Sequence, residues 1–304
     1  MAAMTTTPTI TTDILIVGGG PAGLQAALTV ARVHRQAVLL DDGRYRNASV
    51  AHMHNIIGAD GTPPHDFRAR AQAELAGYDT VATRPVSARA IRESETGFAA
   101  DLSDGTRLTA RVVILATGVS DELPPIPGLD EVWGGRVAHC PFCHAHEFAG
   151  GRIGILGTAP AAHLGALLAP VAGSVIVLPL EGDSARAADG AHVARSHVVG
   201  MRDTGSSLDL TLADGSVESV DVAFVATALR QRSELPAQLG LELNDSGCVR
   251  VDELQRTSLP GVLAAGDMAH VPALPMPMAS VATAIAAGQL AASAAIMHLL
   301  SAEH

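Results

Sequence analysis

The stretch D13-I-L-I-V-G-G-G-P-A-G23, with the Ala- and Leu-rich run to Arg32 and then A37-V-L-L-D41, decides the fold. Asp13 to Val17 is a short β-rich run, the glycines mark a tight turn, and the next run has helical composition. A second apolar run then ends in an acid. Strand, glycine turn, helix and strand ending in a carboxylate make a dinucleotide-binding βαβ unit in its proper context. Gly18 permits the tight turn, Gly20 lets backbone approach a pyrophosphate, and Gly23 lets helix and strand pack closely. Pro21 and Ala22 complete the turn. Asp41 stands where a carboxylate accepts hydrogen bonds from an adenosine ribose. A glycine-rich turn that binds nothing would leave the acid unexplained.

Two later segments extend the reading. R111-V-V-I-L-A-T-G118 is a buried strand ending in small residues, and G261-V-L-A-A-G-D267 is another with an acid at its end. Strand ends of a parallel sheet converge on the ligand crevice. Ala116, Thr117, Gly118, Gly266 and Asp267 are therefore expected beside the same cofactor as Gly18. In these motifs the chain resembles the two-dinucleotide-domain flavoprotein disulfide reductases, in which a glycine motif for FAD, an A-T-G turn and a G-D turn recur in this order. The resemblance implies FAD, with Asp267 at its ribityl and pyrophosphate region and Val86 and Val281 among the cofactor-side positions.

Between these segments lies a weaker βαβ pattern, R152-I-G-I-L-G157-T-A-P-A-A162, a helical stretch, then S174-V-I-V-L-P-L-E181. The expected fold is α/β, with two Rossmann-like (three-layer ββα) dinucleotide-binding domains, the second inserted in the first, as in low-molecular-weight thioredoxin reductases. The FAD domain is expected over 1–118 and 245–304, and the insertion over 119–244. The insertion is entered through L123-P-P-I-P-G128 and left near N244-D-S-G247.

Composition narrows the partners. The chain has 304 residues, 48% of them hydrophobic, which is enough for a substantial core. A net charge of −11 and 3% aromatic residues remove the basic surface and stacking platforms that nucleic-acid binding needs. Three cysteines are too few for a disulfide scaffold, and MAAMTTTPTITTD lacks the basic start and apolar core of an export signal, so the expected address is the cytoplasm. Ala279 to Ala302 is uncharged and long enough to span a bilayer. Its alanine content and its Ser, Thr, Gln and His make a buried core helix the expectation, with no membrane partner.

Chemistry concentrates in H139-C-P-F-C-H-A-H-E147. Cys140, Cys143, His144 and His146 could ligate zinc, but structural sites usually build two ligand pairs on separate turns with a wider His spacing. C140-P-F-C-H144 also matches the c-type haem attachment pattern, which normally accompanies export. Inert packing is a third reading, and no metal is expected. The redox reading accounts for the spacing: thiols at i and i+3 can close a small disulfide ring, and a following histidine supplies an acid/base near neutral pH.

Segment V132-W-G-G-R-V-A-H-C-P-F-C143 resembles the low-molecular-weight thioredoxin reductases, where a W-G segment leads into C-x-x-C. C-P-F-C-H followed by H-x-E is closer to the FAD-dependent dithiol oxidases of natural-product pathways (gliotoxin, holomycin and romidepsin type), since the reductases place Asp after the second cysteine. That resemblance implies oxidation of a small-molecule dithiol to an intramolecular disulfide, with O2 as acceptor and H2O2 as product. It turns Cys140 outward and Cys143 toward the flavin, makes His144 the base with His146 sharing proton transfer, and implies a homodimer. R46-N47 resembles the same oxidases and lines the FAD cleft. A51-H-M-H-N-I-I-G58, whose H-x-H alone reads as a metal pair, aligns with the loop over the flavin, with Asn55 a flavin contact and His52 and His54 pocket residues. Cys248 reads as structural.

The second βαβ unit departs from a nucleotide site. Ala159 takes the middle glycine position, Pro160 follows, and V177-L-P-L-E-G-D183 offers carboxylates where the reductases present a His-Arg-Arg cluster for a 2′-phosphate. Ala279 and Ser280 replace the reductases' Arg-Gln pair. The alternative expectation is an NAD(P)H-dependent disulfide reductase, in which Glu181 or Asp183 holds the ribose of NADH.

Overall fold

The computed structural model describes residues 9–183 and 192–303; MAAMTTTP, part of the stretch read above for an export signal, lies outside the described residues. Two compact units form, one from Met1–Arg46, His65–Ser120 and Leu229–His304, the other from Asn47–Pro64 and Asp121–Ala228.

The first unit begins with β1 (Thr9–Val17), α1 (Pro21–Arg32), β2 (Ala37–Leu40), α2 (Pro64–Leu75) and β3 (Val81–Arg84). It continues through β4 (Ala88–Ser94), β5 (Gly97–Leu102) and β6 (Arg107–Leu115) in the sheet order β3-β2-β1-β6-β5-β4. β1 pairs in parallel with β2 and β6, whereas β4, β5 and β6 are antiparallel. The continuous apolar runs exist because both faces of the parallel strands are covered. Side chains alternate between two cores. Leu15, Val17, Leu40, Val113 and Leu115 meet Ile91 and Phe98 of the β4–β5 ribbon. Ile14, Ile16, Leu39, Val112 and Ile114 face α1 and the carboxy-terminal helix.

The second unit contains β7 (Val137–Ala138), α3 (Pro141–His144), β8 (Arg152–Leu156), α4 (Ala161–Leu168), β9 (Ser174–Leu178) and β10 (His192–Val193). An antiparallel sheet of β11 (Val198–Asp203), β12 (Leu208–Leu212) and β13 (Val217–Val220) follows, then β14 (Val222–Val225). The parallel sheet runs β10-β9-β8-β14-β7. Leu156, Ile176 and Val225 bury one of its faces against Leu208 and Leu210, while Ile153, Ile155 and Phe224 bury the other against Leu164 and Leu168 of α4.

The chain then returns to the first sheet with β15 (Val262–Ala264), parallel to the end of β6, and closes with α5 (Val281–Ala302). The return falls at 228/229, upstream of the turn near 244, because Leu229, Leu235, Leu239 and Leu241 belong to the core under the β4–β5 ribbon. α5 differs from a wholly buried helix. Ala284, Gly288, Ala291, Ala292, Ala295 and Leu299 are buried, while Leu290, Met297 and Leu300 are 40%, 65% and 36% exposed. Among the described residues it is the one helix long and apolar enough to cross a membrane. Its buried face packs on α1, where a Cβ at Gly288 would lie 2.1 Å from the Ala22 carbonyl oxygen.

Candidate dinucleotide cradle and redox segment

The cradle is built where β1 stops. Gly18 sits at φ +117°, and a Cβ there would lie 2.2 Å from the Ala116 carbonyl oxygen, so only glycine lets the ends of β1 and β6 come this close. A Cβ on Gly23 would lie 1.8 Å from the Gly18 carbonyl oxygen, which is the close helix–strand contact its motif position calls for. Gly20 is open: nothing lies within 4 Å of a Cβ built on it. It is also the N-cap of α1, with Pro21 in the first turn and no side chain capping the helix. Uncapped N–H groups of a twelve-residue helix behind an open glycine suit a pyrophosphate.

Asp41 follows β2 and is 6% exposed. Its carboxylate lies under Gly19, whose added Cβ would be 2.1 Å from the carboxyl carbon. It accepts hydrogen bonds from the Gly43 N–H (3.0 Å), the Tyr45 hydroxyl (2.7 Å) and the Gln72 amide (3.2 Å). Burial, with that carboxylate as acceptor, pushes the Tyr45 hydroxyl up to about 12. The Arg68 guanidinium lies 3.8 Å above the Tyr45 ring, and burial lowers its pKa. Asp41, Gly43, Tyr45, Gln72 and Thr83 line a cleft of about 600 Å³. Sequence reasoning reached Asp41 and missed Tyr45, Gln72 and Arg68; the available signal was a tyrosine four residues past the acid in a chain with two tyrosines.

Other sequence-derived positions gather in the same unit. Arg46 and Asp267 form an ion pair at 2.9 Å with side chains 14% and 21% exposed. Gly266 sits at φ +80°, which favours glycine, and a Cβ there would make a tight 3.0 Å approach to that of Ala22. Thr117 donates its hydroxyl to the Met268 sulfur (3.4 Å), and Gly118 takes φ +68°. Val86 packs at the margin of the core beneath the β4–β5 ribbon. Val281 opens α5, whose N-cap Ser280 accepts from the Thr283 N–H (3.1 Å). Cys248 is a buried free thiol that burial pushes up, which makes it a poor nucleophile. Open glycine turn, uncapped helix and buried acid together fit a dinucleotide such as FAD.

The redox segment belongs to the second unit. A disulfide joins Cys140 and Cys143, whose Cα atoms are 5.3 Å apart. Cys140 is the extended N-cap of α3, Pro141 its first residue, and Cys143 donates its N–H to the Cys140 carbonyl (3.2 Å). Proline with φ fixed suits the first position of a helix and tightens the one-turn ring. Phe142, between the cysteines, is 68% exposed. The His139 ring stacks on Trp133 with centroids 5.9 Å apart. His144 Nε2 lies 2.6 Å from the Gly135 carbonyl oxygen, and its ring leans on Phe148 at 5.6 Å. A carbonyl only accepts, so Nε2 carries the proton and the neutral ring offers Nδ1 as its base.

Asn47, His52, His54 and Asn55 belong to this same unit. His54 lies between Asp60 (3.3 Å from Nδ1) and Glu147 (3.4 Å from Nε2), and His52 and His146 are exposed. Asn55, at φ +60°, donates its N–H to Asp60 (2.8 Å). No group of three or more His, Cys, Asp or Glu placed to hold a metal exists among the described residues.

The second glycine turn is built differently from the first. Gly157 sits at φ +93°, Ala159 is exposed, and Pro160 is the N-cap of the eight-residue α4. Asp183 Oδ2 accepts from the N–H groups of Thr158 (2.9 Å) and Leu180 (2.9 Å). A carboxylate thus already occupies a backbone donor of the turn, and its charge opposes a phosphate there.

Comparison with known proteins follows the same outline. The family model described as pyridine nucleotide-disulphide oxidoreductase matches residues 12–170 and 183–289. Thioredoxin reductase tcpT of Claviceps purpurea is 32% identical over 316 residues, covering 95% of this chain and 94% of its own length. Thioredoxin reductase aclD of Aspergillus oryzae is 34% identical, covering 84% and 88%. Among solved structures, an oxidoreductase from Agrobacterium tumefaciens has a TM-score of 0.87 at 31% identity, over 96% of this chain and 99% of its own. HlmI has a TM-score of 0.85 at 31% identity, over 95% and 93%.

Proposed function

The chain belongs to the pyridine nucleotide-disulphide oxidoreductase family, and from that membership we propose that it is an FAD-dependent dithiol oxidase, closing a disulfide in a small-molecule dithiol. The observation that carries the reading is a C-x-x-C disulfide with a histidine held in one tautomer beside it, in a chain whose second glycine turn already gives the Thr158 N–H to the Asp183 carboxylate. Gly18, Gly20, Gly23, Asp41 and the Arg46–Asp267 pair are the residues to hold FAD, with Asn47, Asn55, Val86, Ala116, Thr117, Gly118, Gly266 and Val281 as further candidates.

A substrate thiolate attacks Cys140 and breaks its bond to Cys143, which leaves as a thiolate. His144 Nδ1 takes the proton of the second substrate thiol. That sulfur attacks the substrate sulfur of the mixed disulfide, forms the product disulfide and expels Cys140 as a thiol or thiolate. In this reading His146, which is exposed, shares proton transfer with His144. FAD, when bound, supplies the two-electron acceptor that returns Cys140 and Cys143 to the disulfide and delivers the pair to O2 as H2O2. The same reading takes the enzyme to be a cytoplasmic homodimer.

The names of the relatives favour a second reading, a thioredoxin-reductase-like enzyme that draws electrons from NAD(P)H. One anaerobic titration separates the two. Dithiothreitol alone should bleach the flavin of the purified protein, and admission of air should restore it with one H2O2 per dithiothreitol oxidised. Rapid bleaching by NADPH or NADH would replace the oxidase with the reductase.

A further inference from the structure

We propose that His54 is a positioning residue: by bridging Asp60 and Glu147 it fastens the loop of residues 47–64 to the 3-10 turn that directly follows Cys143 and His144. The inference rests on the reading that Cys140 and Cys143 form the working disulfide.

The loop reaches His144 from two directions within one unit. On one side, Ser49 packs against Gly134, where an added Cβ would lie 2.7 Å from the Ser49 carbonyl oxygen. Gly134 precedes Gly135, the residue whose carbonyl holds His144 Nε2. On the other side, His54 Nε2 lies 3.4 Å from Glu147, in the 3-10 turn His146–Phe148 whose Phe148 ring leans on His144. The imidazole of His144 is thus held between a carbonyl and a ring, and each is braced by the same loop.

The loop end of the bridge is itself built to stay put. Asn55 adopts φ +60° and donates its N–H to Asp60 Oδ1 (2.8 Å), and Met53 and Thr62 pair across the loop. His54 is 22% exposed at the side chain, with both ring nitrogens directed at carboxylate oxygens. The imidazolium gives each carboxylate a proton to accept; the neutral ring would set a lone pair against one of them. The charged groups around His54 are Asp60 from the loop and Glu147 from the 3-10 turn, with His146 acting on Asp60 from the same turn. A ring that donates from both nitrogens therefore draws the loop and the turn together, and a ring with one proton can donate to only one of the two carboxylates.

The test uses the FAD-loaded protein with dithiothreitol as probe, and compares His54→Gln, Glu147→Gln, the double variant and the exposed control His65→Gln. Opening of the Cys140–Cys143 bond is read by rapid alkylation and mass spectrometry from pH 5.5 to 9, and flavin bleaching is followed in parallel. Each single variant should slow bond opening about tenfold, below the roughly hundredfold that a 1 Å misplacement can cost. The double variant should be no slower than the slower single one, since both break the same bridge. Divided by the dithiothreitol thiolate concentration at each pH, the wild-type rate should fall across this range while that of His54→Gln stays level, and His65→Gln should match the wild type. Multiplicative losses in the double variant, or a pH profile unchanged in His54→Gln, would overturn the bridge. If His54→Gln fails to fold, Glu147→Gln breaks the same contact from the other side and decides alone: a wild-type rate and pH profile there also overturn it. Bond opening without flavin bleaching in the wild type would sink the oxidase reading while leaving the bridge measurable. A bond that dithiothreitol cannot open sinks both.

Discussion

His144 has its tautomer fixed by main chain rather than by a carboxylate, because the Gly135 carbonyl can only accept. Replacing it with Gln keeps a donor for Gly135 and removes the base. His144→Gln should therefore lower kcat for dithiothreitol oxidation by about 10²–10⁴, the range of a positioned acid/base, while FAD content and melting temperature stay at wild-type values. A fall below tenfold would assign the base elsewhere, with His146 the next residue to test. The cysteines separate by another measurement. Cys140→Ser and Cys143→Ser should each abolish turnover, and only the variant that keeps the outward thiol should react rapidly with a disulfide, holding half of it as a stable mixed disulfide and expelling the other half as a thiol. Mass spectrometry after incubation with a disulfide probe such as 5,5′-dithiobis(2-nitrobenzoate) should find the adduct rapidly on Cys140 in Cys143→Ser and slowly on Cys143 in Cys140→Ser. The reverse order would exchange their roles. These residues were legible because their chemistry is local in sequence. The Arg46–Asp267 pair was legible only as two separate positions, since its partners lie 221 residues apart and no periodicity links them. The Tyr45–Asp41–Gln72 cluster was missed for the same reason: Gln72 comes from α2, which no motif marks.

At the scale of elements, the cradle depends on how closely α1 lies against α5. Gly288 of α5 faces the backbone of Ala22, and Gly266 faces its side chain, so the first turn of α1 is held between two glycines. Gly288→Ala would drive a methyl into the Ala22 carbonyl, which is backbone and cannot rotate away. Overpacking of this kind costs about 1–3 kcal/mol, and the displaced element is the one that carries Gly20 and Pro21. The expected result is a lower melting temperature together with weaker FAD retention on gel filtration; a variant that loses stability but keeps FAD would show that α1 shifts as a rigid piece. The far end of α5 is held by charge. Glu303 accepts from Arg35 (3.0 Å) and Arg111 (2.8 Å), and these bonds hold its carboxyl down at about 2. A carboxyl depressed below its unfolded value adds stability that is present above that value, near 4.5, and is lost as pH falls toward 2. Wild type should therefore melt above Glu303→Gln at pH 7, and the gap should close between about pH 4.5 and 2. It should also shrink in high salt, because the three side chains are partly exposed. Alanine composition foretold a packed helix in this position, but not which face would be left open, because one methyl carries too little hydrophobic contrast to define a stripe.

At the scale of the molecule, the chain repeats one architecture with two outcomes. Each sheet has a core of parallel strands with a helix on one face and antiparallel strands against the other, and each has a glycine turn at the end of a parallel strand. In the first, the acid lies beneath the turn and leaves Gly20 open. In the second, Ala159 stands at that position, proline caps the helix, and Asp183 accepts the Thr158 N–H. The two units were legible as a repeat because strand–turn–helix spacing survives in both. Their division was less so, since the excursion of residues 47–64 into the second unit carries no change in composition. The difference between the turns predicts a thermodynamic asymmetry. A ligand present at a hundredfold over its Kd stabilises the folded state by about 2.7 kcal/mol, which for a unit of this size raises the melting temperature by roughly 5–11 °C. FAD added to flavin-depleted protein should produce such a shift. NADPH and NADH at about 1 mM should not, because they would have to displace an internal carboxylate and place phosphate beside it. Asp183→Asn with Ala159→Gly removes the charge and opens the turn at one stroke. If this double variant gains an NADH-dependent shift that wild type lacks, the block lies in these side chains on a backbone still competent for nucleotide. If wild type already shifts with NADH, the second turn is a working site and the oxidase reading loses its main support.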